Sequence, residues 1–193
     1  PIDITLQPGA SLACTVLPNG SPCVGASVSA FPDQALVTGA DGRCLLKGLA
    51  AGDRRVSVSL PMEDKSGFGT HQERDVSLES GQTTEITMEF IDGDAALVGA
   101  IRGSAKTMHV ELTIKTDRGD QHFVIFRDSP EKIGSQYSFF NLPAGEAQLK
   151  VDWFPLEGER SAPPKVYGCT IVPGTTTQQD IQLDDADESV AED

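Results

Sequence analysis

The sequence predicts an all-β protein built as two β-sandwiches in tandem. Apolar and polar residues alternate at period two through most of the chain, nineteen Gly and twelve Pro cut it into short segments, and the second half repeats the first. Amphipathic helical periodicity is nearly absent. At 193 residues the chain is long enough for two units of about 90–100 residues, each burying a core of its own.

The repeat shows best where "LLKGLAAGDRRVSVSL" meets "FFNLPAGEAQLKVDW". Leu49 and Gly52 fall on Leu142 and Gly145, and Gly81 falls on Gly174, all 93 positions apart. The front ends match 85 apart, with "LACTV" at 12–16 on "LVGAI" at 97–101. The second copy therefore carries about eight additional residues between its first strand and its Leu-Pro-Ala-Gly turn. The expected boundaries are 1–91 for the first sandwich and 94–184 for the second, with a disordered acidic tail at 185–193.

Each strand follows from its parity. Val56, Val58 and Leu60 alternate with serines, and Ile86, Met88 and Phe90 close the first repeat. In the second, Val110, Leu112 and Ile114 alternate with Glu111, Thr113 and Lys115. Tyr137, Phe139 and Leu142 lead into the turn, Leu149, Val151 and Trp153 leave it, and Ile181 and Leu183 end the repeat. A sheet with one apolar face must pack that face on another sheet, which gives the sandwich. In the turn itself Pro143 pre-sets φ, Gly145 accepts backbone angles a Cβ resists, and Leu142 points inward to pin the corner. Ala50 stands in for the Pro in the first copy. Nothing in this turn can act as nucleophile, base or metal ligand.

Charge excludes several partners. The net charge is −14, and the last ten residues, "DDADESVAED", hold six carboxylates and no base. Without a Lys/Arg cluster such a surface repels phosphate backbones and anionic headgroups, so neither nucleic acid nor membrane is expected as a partner. No apolar run approaches the ~18 residues that span a bilayer. The chain opens on Pro1 rather than Met, as a processed or excised piece does, so a missing leader says nothing.

The candidate site residues are few. Of four cysteines, Cys14, Cys23, Cys44 and Cys169, no two have Cys-x-x-Cys spacing. Cys14 and Cys44 sit among inward-facing neighbours and are the candidate disulfide, closing a loop of roughly 30 residues at a gain of ~3 kcal/mol; the alternative is a pair of small thiols filling core space. Metal binding would need two histidines converging with a carboxylate. With the turn at "TDRGDQ", Lys115 is expected to face His122, while His109 lies further down the hairpin and does not meet it. No metal site, cofactor or catalytic residue is expected. Arg118, Gly119 and Asp120 spell an integrin-type tripeptide at a hairpin tip, where a turn rich in Asp and Gly also needs no receptor to explain it. The "DGD" at Asp92–Asp94 is expected to be a solvated linker rather than a calcium site, which wants six or more oxygens.

The first copy, "LACTVLPNGSPCVGASVSAFPDQALVTGADGRCLLKGLAAGDRRVSVSL", resembles the carboxypeptidase regulatory-like, or transthyretin-like, β-sandwich domain. The resemblance lies in the opening strand, the Gly20–Pro22 turn before Gly25, Ala26 and Val28, the Asp41–Gly42 turn, the corner, and the Gly81–Thr84 hairpin. Cys14 stands for the usual Gly and Cys44 for the usual aromatic. The second copy keeps the first strand with Gly99, the corner and the last hairpin, and lacks a Gly-Ala-x-Val strand. The resemblance implies tandem Ig-like or transthyretin-like sandwiches of non-catalytic character, serving secreted or surface proteins as spacers, adhesion modules or subunit contacts.

The functional expectation is a non-enzymatic structural or protein-interaction module outside the bacterial cytoplasm, periplasmic or at the cell surface. Binding would run through strand edges or the loops at 127–136 and 154–168. The alternative is a carbohydrate-binding or adhesion module of a secreted hydrolase. That reading needs a strip of exposed aromatics, yet Trp153 and Tyr137 point inward by parity and only Tyr167 is expected on a loop. An intramolecular isopeptide bond is excluded for the first copy, which has no Lys before Lys47 and no Asn in its closing strand.

Overall fold

A computed structural model describes residues 8–32, 34–61, 68–103, 107–127, 136–154 and 163–183. The predicted tail and the middles of both long loops, 128–135 and 155–162, lie outside the described residues. Every regular element is a β-strand, and no helix occurs among the described residues. Among the described residues no helix is long and apolar enough to cross a membrane. The chain divides into two compact units, one ending with Thr70–Ile91 and the other running on from Asp92.

The first unit holds β1 (Ala10–Pro18), β2 (Ser27–Phe31), β3 (Gln34–Val37), β4 (Arg43–Leu49), β5 (Gly52–Ser59), β6 (Phe68–Leu78, from Thr70 onward) and β7 (Thr83–Phe90). One layer runs β4-β1-β7, with β1 antiparallel to β4 and parallel to β7. The other runs β6-β5-β2-β3, all antiparallel. The alternating residues fill the space between them: Leu12, Cys14 and Val16 from β1 meet Val28, Ala30, Val56 and Val58 from the facing layer. All are buried, and each large aliphatic side chain so placed contributes roughly 1.5–3 kcal/mol.

The second unit holds β8 (Ala95–Arg102), β9 (Thr107–Thr116), β10 (Gly119–Arg127), β11 (Gln136–Leu142), β12 (Gly145–Phe154), β13 (Lys165–Ile171), β14 (Thr176–Gln178) and β15 (Ile181–Gln182). The strand order is the same: β11-β8-β14 in one layer, with β15 also on β8, and β13-β12-β9-β10 in the other. Its core adds aromatics. Trp153, Tyr137, Phe139 and Phe123 pack with Met108, Leu112, Leu149 and Val151.

The repeated corner has a part that parity does not show. Gly48 and Asn141, 93 positions apart, both take left-handed backbone angles, φ +72° and +56°. Pairing of β11 with β8 shifts register between Phe139 and Leu142, and pairing of β1 with β4 shifts beside Leu49. Each is a bulge, and it turns Leu49 and Leu142 inward, where both are fully buried. Gly and Asn are the residues that tolerate that conformation, so the corner is written as bulge plus turn.

Candidate interaction surface

The most distinctive surface among the described residues lies on β2 and β3 of the first unit. Register places Ser27 opposite Val37 and Ser29 opposite Ala35, while β5 sets Ser59 and Ser57 on the other side of the same two serines. Parity sends these side chains outward together with Phe31. In a chain that is 23% charged, this face carries no charge across β2 and β3; the first charge on it is Arg55 of β5, opposite Phe31 and paired with Glu73 and Asp75 of β6. Phe31 is 77% exposed, Val37 66%, and Val24, just before β2, 60%.

The strand β3 ends its layer, and all four of its residues, Gln34 to Val37, are exposed. Such an end strand presents backbone groups that can pair with a further strand, and proteins usually blunt it with Lys or Pro inside the strand. Here the strand reads Gln-Ala-Leu-Val. It is held in place at both ends. Gln34 Nε2 donates to the Lys47 carbonyl at 2.8 Å, and buried Thr38 takes the Ala26 N–H on its hydroxyl at 2.9 Å while donating to the Cys23 carbonyl. A fixed, unblunted strand beside an uncharged face is the geometry of strand addition.

The outer face of the second unit is of the opposite kind. Lys150 pairs across strands with Glu111 and reaches Asp152 at 2.9 Å, which raises the Lys150 pKa above its ordinary value. Asp152 also lies 3.7 Å from His109 Nδ1. His122 Nδ1 lies 2.8 Å from Glu111 Oε1 and 3.0 Å from the Thr113 hydroxyl. The Lys150–Asp152 pair at the surface fixes its side chains at small energetic return, while His122 and Glu111 are half-buried.

Several sequence expectations are corrected here. His122 faces Thr113, and Lys115 faces Asp120, because the β9–β10 loop is two residues long rather than six. His109, opposite Phe126, stays away from His122, as the hairpin argument required. The Asp92–Asp94 stretch is built into the second unit rather than a free linker. The Gly93 N–H donates to the Asn141 carbonyl at 3.0 Å, and Asp94 Oδ1 accepts from the Gly174 N–H at 2.7 Å. Tyr167 lies within β13 and is half-buried, packed against the second unit's core. Trp153 and Tyr137 are both inside, 2% and 3% exposed. Among the described residues the exposed aromatics are instead Phe31 and Phe140, which reasoning about Trp and Tyr alone passes over.

The tripeptide Arg118-Gly119-Asp120 sits at the tip of the β9–β10 hairpin and all three residues are exposed. Arg118 Nε lies 3.7 Å from its neighbour Asp117, and Asp120 already belongs to β10, paired with Lys115. Cys14 and Cys44 are directly opposite each other in the β1–β4 register, and both are thiols in this structure. Burial pushes the Cys14 thiol up to about 12, with the nearby Cys44 adding to the shift. Burial also raises Cys44, which is half-buried, and the Cys14 backbone opposes that rise.

No family model matches the chain, and no curated protein does. The resemblance to carboxypeptidase regulatory-like domains thus rests on the residues quoted above. Among solved structures the chain is similar to the minor pilin GBS52 of Streptococcus agalactiae, at 12% identity, 96% of this chain and 100% of that one covered, and a TM-score of 0.38. It is similar to the Bacillus anthracis TIE protein at 17% identity and TM-score 0.37, covering 90% of this chain but only 33% of that one. A DUF3823 family protein from Parabacteroides merdae shares 13% identity at TM-score 0.34, with 86% of this chain and 98% of that one covered. The chain spans about a third of the Bacillus protein's length. At these values the likenesses carry no functional argument.

Proposed function

We propose that this protein is a non-enzymatic structural and protein-interaction module that acts outside the bacterial cytoplasm, as a subunit or segment of an envelope or surface assembly. The observation that carries the reading is the end strand β3 with its uncharged face: Phe31, Ala35 and Val37 outward, no charge within Gln34–Val37. A partner strand laid along β3 gains main-chain hydrogen bonds, and Phe31 and Val37 supply apolar contact beside them. The binding geometry needs no cofactor and no metal. The tripeptide tip, with Asp120 committed to a strand pair, is the weaker recognition element.

The test is recovery of partners from the native envelope with the tagged chain, compared with an A35K/V37K variant. These residues are exposed, so the variant keeps its fold, and it places charge where a partner would dock. A protein recovered in fixed proportion by the native chain and lost by the variant supports the reading. Equal recovery by both moves the interface off β3, and binding to a glycan array with no protein partner replaces the reading by carbohydrate recognition.

A further inference from the structure

We propose that Cys14 and Cys44 form a disulfide that closes β1 onto β4 on the inner face of the first unit. The molecule supplies its own control. The β8–β11 pairing sets Gly99 opposite Tyr137, and the β1–β4 pairing sets Cys14 opposite Cys44. These are the same place in the repeat: the neighbouring pair is Leu12–Leu46 in one unit and Leu97–Phe139 in the other. In the second unit the Tyr137 ring lies over the bare Gly99, so a Cβ added there would come within 2.6 Å of the ring and would also strike the Gln179 carbonyl. An aromatic covering a cross-strand glycine is a familiar way to fill such a position. In the first unit both members of that couple differ together, and both are cysteine.

The backbone geometry suits a bridge. The Val16 N–H donates to the Gly42 carbonyl at 2.9 Å, so the pair two residues on, Cys14 and Cys44, is again a hydrogen-bonded pair. Such pairs hold their Cα atoms about 5.5 Å apart, within the span a disulfide bridges, while their Cβ atoms lie at the wide end of the cross-strand range and draw together as the bond closes. Both side chains belong to the inner face, with Cys14 1% exposed and Cys44 partly open at the end strand β4.

That difference in exposure orders the chemistry. With glutathione disulfide as oxidant, the Cys44 thiolate attacks one glutathione sulfur and expels the other as glutathione thiolate. Cys14 then gives its proton to water, and its sulfur attacks the Cys44 sulfur, expelling the second glutathione. Two thiols and one glutathione disulfide become one protein disulfide and two glutathiones. Burial disfavours the Cys14 thiolate in the folded unit, so the half-exposed Cys44 is the thiol that meets the oxidant first.

The experiment refolds the full chain in a glutathione buffer poised oxidising, blocks remaining thiols with iodoacetamide, and maps tryptic peptides without reductant. Cleavage after Arg43 and Lys47 releases Cys44–Lys47 as its own peptide, and the peptide ending at Arg43 carries both Cys14 and Cys23. The expected result is these two peptides linked, with fragmentation placing the bond at Cys14 and with Cys23 and Cys169 alkylated. Reduction should then lower the Tm by on the order of 10 °C, a difference that Cys44→Ser removes and Cys169→Ser keeps. Four alkylated cysteines after equilibration, or a bond from Cys44 to Cys23 or Cys169, overturns the proposal. Native-sequence mapping decides the matter even where a variant fails to fold.

Discussion

The two units share one strand order and fill it differently. The first packs small and aliphatic side chains around Cys14, Ala30, Val56 and Val58; the second packs Trp153, Tyr137, Phe139 and Phe123. Their closing strands differ too. In the first, β7 pairs with β1 without a break from Ser11–Thr83 to Pro18–Phe90. In the second the equivalent strand is divided into β14 and β15, and at the gap the Tyr137 hydroxyl donates to the Gln179 carbonyl while Asp180 Oδ1 accepts the Ala100 N–H at 2.9 Å. A large ring over a glycine thus goes with a ladder interrupted at one bond, the Ala100 N–H turning to Asp180 while the Gln179 N–H still donates to the Val98 carbonyl at 2.9 Å. Topology is set by the apolar alternation, and it tolerates quite different solutions at a single cross-strand pair.

This comparison can be broken most sharply at Gly99. Gly99→Val puts side-chain atoms where the Gln179 carbonyl and the Tyr137 ring lie, and should destabilise the second unit by on the order of 4 kcal/mol. Trp153 is the sole Trp and is buried in that unit, so urea unfolding followed by its fluorescence reads the effect directly. The converse Cys14→Gly, made in the reduced protein, should cost only about 1 kcal/mol by calorimetry, because it removes a small side chain and adds none. A Gly99→Val variant as stable as the native chain would mean that the two pairs are not tuned to their surroundings.

Next in size come the corners. Leu49→Ala and Leu142→Ala should each cost about 3 kcal/mol in chemical denaturation, since both side chains are fully buried behind the same bulge. Unequal costs would show that the repeated corner is anchored differently in the two units. Smaller effects distinguish the bulges. Gly48→Ala forces a Cβ into left-handed backbone and should cost about 1–2 kcal/mol, whereas Asn141→Gly relieves strain and should gain about 0.5 kcal/mol.

The smallest expected effect concerns acid. The hydrogen bond from the Ala100 N–H, with help from Gln178 and Arg102, lowers the Asp180 pKa below the ordinary carboxylate value. A depressed folded pKa means stability that is present above the unfolded value and lost as pH falls through the folded one. Asp180→Asn should therefore flatten the acid limb of the second unit's stability curve below about pH 4 and leave the first unit, with Thr87 at the matching position, unchanged. Urea midpoints measured across that range check it.

Much of this architecture was legible in the sequence, and the reasons are local. Alternation at period two names the inward side chains from β1 to β15 because a strand's faces are fixed by its own residues. The repeated Leu at the corner could be read for the same reason. What was not legible depends on the order of strands. Leu36 follows the inward parity of Val28, yet it is 44% exposed because β3 ends its layer. Phe31 looks like core by composition and lies outside by parity. The bulges at Gly48 and Asn141 were written in the sequence as two residues that share left-handed tolerance and nothing else, a signal visible only once the copies are aligned. The facing of Cys14 and Cys44 needed the register, which no spacing along the chain supplies.

The parallel pairing of first and last strands gives each unit a mechanical direction. Because β1 and β7 run the same way, tension applied through the chain pulls the start of β1 and the end of β7 past one another along the strand axis. Every hydrogen bond from Ser11–Thr83 to Pro18–Phe90 then bears load at once, as in a lap joint, instead of opening one after another like a zip. In the second unit the same joint keeps its register but lacks one main-chain bond between Gln178 and Ile181, where the Ala100 N–H goes to the Asp180 side chain. Under pull from its ends, this molecule should yield there first.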